Sequence, residues 1–66
     1  MLGTVTIDDR TVTCLITDFS SSGARLRLSQ DVALPKTFWL DAPRHWKSYR
    51  VTCCWRDGEE VGVRFI

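Results

Sequence analysis

Apolar and polar residues alternate along most of this 66-residue chain, the period of two that belongs to β-strands with one buried face. β-Branched residues are frequent and turn formers interrupt at short intervals, the pattern of an all-β barrel or sandwich. No segment carries the 3.6-residue period of a helix. The alternation predicts six strands, over 3–7, 10–17, 24–28, 37–41, 48–56 and 60–66. Their inward sets are Val5 with Ile7, then Val12, Cys14 and Ile16, then Ala24, Leu26 and Leu28, and then Phe38 with Leu40. The fifth strand sends Tyr49, Val51, Cys53 and Trp55 inward under strict alternation, with Val61, Val63 and Phe65 beside them on the sixth.

Between these runs the punctuation is chemical. Asp8-Asp9 makes the first turn, weakly signalled because it lacks glycine. Asp18-Phe19-Ser20-Ser21-Ser22-Gly23 is dense in turn formers: Asp and Ser bond neighbouring amides, and Gly is free to take positive φ. Pro35 marks a loop, Ala42-Pro43 closes the fourth strand, and Asp57-Gly58 predicts a type I′ hairpin turn with positive φ at both central positions. The expected architecture is all-β, six short antiparallel strands that close into a barrel or pack as a sandwich. Closure removes exposed edges, and a homodimer would be the other way to cover them.

Size and composition narrow the function classes. The chain is long enough for one domain, 1–66, with a modest core. At 44% hydrophobic and 26% charged it reads as a folded, soluble protein. A formal charge of +1 argues against binding DNA, or an RNA stripe, by charge alone. No apolar run approaches the ~20 residues of a membrane helix and no signal peptide is evident, so no membrane insertion and a cytoplasmic location are expected. The odd set Cys14, Cys53 and Cys54 fits a reducing compartment. Adjacent Cys53 and Cys54 point to opposite faces of a strand and His45 is the only histidine, so neither a metal site nor a cofactor is expected. No orienting acid or oxyanion loop accompanies a Cys–His pair, so no catalytic residue is assigned and the protein is read as a non-enzyme.

At Asp18-x-Ser20-x-x-Gly23 the chain resembles the Asp/Asn-x-Ser-x-x-Gly signature of bacterial PilZ domains. The resemblance extends to the closing hairpin, where Val51-Thr52-Cys53-Cys54-Trp55 is followed by Val61-Gly62-Val63-Arg64-Phe65, like that family's strand ending in Trp and its Gly-x-x-Phe. It covers roughly 5–66. It implies a PilZ-like barrel of six strands that binds cyclic di-GMP, or docks on protein partners in the same bacterial signalling systems, without catalysis. In members that bind the nucleotide, the signature loop contacts a guanine, and an Arg-x-x-x-Arg arm before the first strand grips the phosphates and stacks on the bases.

No Arg-x-x-x-Arg occurs in these 66 residues. Arg10 lies at the far end of its strand from Asp18, eight residues or roughly 26 Å away at strand rise, and cannot substitute. With consecutive strands antiparallel, the loop over 41–47 falls at the same barrel end as the signature loop. Arg44 and Trp46 there supply the charge and ring that phosphate contact and stacking require, and outward-facing Arg25 adds a donor. The candidate nucleotide-binding set is therefore Asp18, Ser20, Gly23, Arg25, Arg44 and Trp46. Two alternatives stand beside it: Asp18, Ser20 and Gly23 form only a self-capped turn, and the domain is an adaptor that has lost the nucleotide and acts through protein–protein interaction.

Overall fold

In the computed structural model, which describes residues 1–66, six strands close into an antiparallel barrel. They are β1 (Leu2–Ile7), β2 (Arg10–Phe19), β3 (Gly23–Arg27), β4 (Thr37–Ala42), β5 (Lys47–Asp57) and β6 (Glu60–Phe65). Around the barrel the order is β1-β2-β3-β6-β5-β4. Closure pairs β1 with β4, with Val5 opposite Leu40, so no strand is left with an open edge.

The core is the inward phase of the alternation. Val5, Leu26, Leu40, Val51 and Val61 are fully buried, and each contributes roughly 1.5–3 kcal/mol relative to exposure. Cys14, Ile16, Leu28, Phe38, Ala42 and Val63 complete the cluster. Burial pushes the Cys14 thiol up to about 11 from an ordinary value of 9.0. It therefore behaves as a small apolar group.

Two expectations about turns are corrected. The β5–β6 loop is Gly58-Glu59 between the paired Asp57 and Glu60, and only Gly58 has positive φ, at 60°. A positive φ confined to one central residue does not meet the type I′ pattern. Asp8 at the β1–β2 turn also has positive φ, 55°, which is less rare for Asp than for most non-glycine residues. Gly23, in contrast, does not have positive φ. Its need is for space: a Cβ there would stand 2.2 Å from the Val63 carbonyl oxygen, so glycine lets β3 approach β6.

The two barrel ends are sealed differently. At the end holding the Asp8-Asp9 and Gly58-Glu59 turns, the Arg56 guanidinium donates to the carbonyls of Gly58, Val32 and Ser29, tying the β3–β4 loop across the opening. At the other end Phe19, Tyr49 and Phe65 form an aromatic plug, with ring centroids 4.4 to 5.5 Å apart. His45, in the single 3₁₀ turn Pro43–His45 between β4 and β5, stacks on Phe19 at 4.3 Å.

Candidate functional site

Strict alternation would point Asp18 inward from β2 and Trp55 inward from β5. Neither does so, because each strand carries a β-bulge. On β2 the register passes from Ile16↔Leu26 to Asp18↔Arg25, leaving Thr17 as the extra residue. On β5 it passes from Cys53↔Val63 to Trp55↔Gly62, leaving Cys54 as the extra one. One inserted residue reverses the facing of everything beyond it. Asp18 and Trp55 are thereby turned to the outside, and Trp55 is 44% exposed. The inward placement expected for Trp55 is thus overturned, while Tyr49, Val51 and Cys53, before the bulge, face the core as expected.

The bulges align four strands on one outer row. Asp18 pairs with Arg25, Arg25 with Gly62, and Gly62 with Trp55. Gly62 leaves the middle of the row without a side chain, and the Trp55 indole lies over it: a Cβ on Gly62 would stand 2.1 Å from Trp55 Nε1. From the far side the Arg25 guanidinium reaches over the same ring, 5.9 Å from its centroid, within cation–π range. Arg64, beside Gly23 on the neighbouring strand, lines the same depression.

The result is a groove of about 360 Å³, at the small end of ligand-sized pockets. Its walls include the signature residues Asp18, Ser20 and Gly23, with Arg25, Trp55 and Arg64 opposite and beside them. The signature residues divide by role. Ser20 Oγ accepts from the Ser22 and Gly23 amides at 3.3 and 3.2 Å and hydrogen-bonds the Gly23 carbonyl oxygen at 3.2 Å. These bonds build the turn. The Asp18 carboxylate takes no part in them and pairs with no cation, since the one ion pair joins Arg27 to Glu60. It is exposed on the groove wall with its acceptor oxygens available.

Arg44 and Trp46 sit at the same barrel end as the signature loop, as antiparallel alternation required, but neither lines the groove. The His45–Phe19 stack brings their loop against β2, while Trp46 stands away from it, 93% exposed. Arg25 is the candidate cation that lies in the groove. Sequence reasoning missed Trp55, Arg64 and Gly62. Trp55 was lost to the bulge, which period-two reasoning does not see, whereas the outward phase of Arg64 beside inward Val63 was available in the sequence.

Comparison with protein-family models gives a match to the PilZ domain over residues 1–66, the whole chain. Comparison with curated proteins and with solved structures returns no match.

Proposed function

This chain belongs to the PilZ domain family, and from that premise we propose that it is a signalling module whose outer groove receives cyclic di-GMP. PilZ domains are receptors and adaptors for that messenger, which gives the ligand class. The observation that carries the reading is the row Asp18, Arg25, Gly62 and Trp55. A guanine presents ring and amino N–H donors on one edge and the O6 and N7 acceptors on another. The free Asp18 carboxylate accepts from the first, and a guanidinium donates in pairs to the second or to a phosphate. The exposed indole of Trp55 offers a stacking face, and Arg25 and Arg64 offset the phosphate charge. Ser20 and Gly23 contribute by shaping the turn that holds Asp18 at the rim.

Amide-resolved NMR titration with cyclic di-GMP tests this site. The proposal expects shifts concentrated at Asp18–Arg25, Cys54–Gly62 and the Trp55 indole, abolished in Asp18→Asn and Arg25→Ala. Shifts confined to Arg44–Lys47, or undiminished in both variants, would reject the groove as the binding surface.

One observation favours a second reading, an adaptor that engages a protein partner without nucleotide: Arg25 and Trp55 stand exposed together on the outer row. Under it the groove row serves as a protein contact, since Trp and Arg are the residues that dominate interface energies. The titration separates the two, because the adaptor gives no shifts at ligand concentrations well above the groove residues' own.

A further inference from the structure

The net charge of +1 conceals a division along the barrel axis. Asp8, Asp9, Asp31, Asp57, Glu59 and Glu60 all belong to the end of the Gly58-Glu59 turn, or to the loop and strand residues adjoining it, with Arg10, Arg27, Lys36 and Arg56. That half carries −2. The half towards the β4–β5 loop holds Arg25, Arg44, Lys47 and Arg64 against Asp18 and Asp41, and carries +2, while Arg50 lies between the halves with its guanidinium on Thr37. Asp41, moreover, already hydrogen-bonds Thr4 and Ser48. The molecule is therefore polarised, and its basic end has no free acid in the Pro43–Lys47 segment.

At the tip of that basic end stands Trp46. It ends the 3₁₀ turn in the left-handed region with φ 54°, a conformation unfavourable for a bulky residue, and 93% of its surface is open to solvent. No other side chain covers the ring and it lines neither depression of the protein. Arg44 and Lys47 flank it, both exposed. A large aromatic held outward, ringed by cations on a convex tip, has no pocket of its own to present to a peptide. A flat anionic layer with an apolar interior needs none: it takes an indole at its interface and cations among its headgroups.

We infer that the Pro43–Lys47 end docks on an anionic lipid surface, with Trp46 at the interface, Arg44 and Lys47 on the headgroups, and the acidic end directed away. The contact is peripheral. It is independent of the groove, so its test uses no nucleotide and its failure leaves the nucleotide proposal untouched.

The experiment is co-sedimentation of the 66-residue protein with vesicles of phosphatidylcholine and phosphatidylglycerol in equal parts, beside vesicles of phosphatidylcholine alone. Binding is expected to the mixed vesicles only, and to fall steeply as salt screens the headgroups. Each cation near such a surface is worth about a fivefold change in binding, so the Arg44→Glu, Lys47→Glu double variant should bind at least about 25-fold more weakly. Both side chains are exposed and outside the core, so the variant keeps the fold, which circular dichroism verifies. Trp46→Asn, which tolerates the left-handed backbone, should also lose binding. In a Trp39→Phe, Trp55→Phe protein the remaining emission should shift to the blue on mixed vesicles. Absence of binding to the mixed vesicles, binding unchanged in the charge-reversed variant, or an unshifted Trp46 emission would each overturn the inference. So would capture by poly-glutamate without vesicle binding, which would assign the tip to an acidic polypeptide.

Discussion

A methyl group on Gly62 would stand 2.1 Å from Nε1, 2.3 Å from Cε2 and 2.8 Å from Cδ1 of Trp55. These distances are too short for any contact, so in Gly62→Ala the indole must leave the surface of β6. Trp55 is 44% exposed, so somewhat more than half of it is covered. A buried aromatic covers ~150–250 Å², which puts its covered part at ~80–140 Å² and its contribution at ~2–3.5 kcal/mol at 25 cal/mol per Å². A ring that swings off Gly62 and keeps its other contacts forfeits about half of this, and the Arg25 contact adds ~0.5–1 kcal/mol at an exposed site. The expected loss is about 2 kcal/mol, a fall in Tm of about 10 °C for a domain of this size. The barrel survives, because the new methyl points outward and the core is untouched. Thermal unfolding by far-ultraviolet circular dichroism, with tryptophan emission alongside, measures both effects. Nucleotide affinity should fall at least about fivefold with the loss of the stacking face. Gly58→Ala is the control: its φ of 60° makes alanine strained although nothing lies within 4 Å, so it should lower stability and leave the groove intact. An unchanged Tm and emission in Gly62→Ala would refute the packing of Trp55 over Gly62, and with it the construction of the groove.

The division of labour within the signature gives a paired test. Ser20→Ala removes the side chain that holds the turn and should cost about 1–2 kcal/mol in urea unfolding, whereas Asp18→Asn, which breaks no bond, should leave the urea midpoint unchanged. Arg56→Met deletes three guanidinium–carbonyl bonds at the barrel end; about 2–3 kcal/mol should be lost, with earlier proteolysis in the loop 28–36, and resistance equal to the parent would show that the bonds do not restrain it. The Cys14 thiol, raised to about 11 in the fold, favours the folded state only while protonated. That contribution is complete below pH 9 and is lost as pH rises towards 11, by up to about 2–3 kcal/mol. Urea midpoints between pH 8 and 11 for the parent and Cys14→Ala check it, because only the parent should show this part of the decline. At neutral pH an alkylating reagent should label exposed Cys54 first and Cys14 last.

Much of the barrel was legible because one face of each strand is buried. The alternations Val5/Ile7, Ala24/Leu26/Leu28 and Phe38/Leu40 named core residues correctly, and antiparallel succession placed the 43–47 loop beside the signature loop. What was not legible followed from local departures from period two. The inserted Thr17 and Cys54 carry no sequence mark, yet they turn Asp18 and Trp55 to the outer face and create the groove row. Gly23 was read for its backbone freedom, but its role depends on how closely Val63 passes, a tertiary distance that no local pattern encodes. Asp18, Ser20, Gly23 and Arg25 lie together as expected. Arg44 and Trp46 share their barrel end without entering the groove, because barrel-end reasoning fixes the end of a side chain and not its direction around the rim.

Isothermal titration of the 66-residue protein with cyclic di-GMP, against cyclic di-AMP as the control, tests the central claim most directly. In the proposed site the Asp18 carboxylate on the groove wall accepts from the ring N–H and amino donors of guanine, a donor pattern that adenine lacks. Saturable heat with the guanine dinucleotide, reaching micromolar affinity or about −8 kcal/mol, together with none from the adenine dinucleotide and none from Asp18→Asn, is the predicted result. No heat from either dinucleotide, or equal heat from both, would contradict a guanine-reading groove and leave the adaptor as the function of this fold.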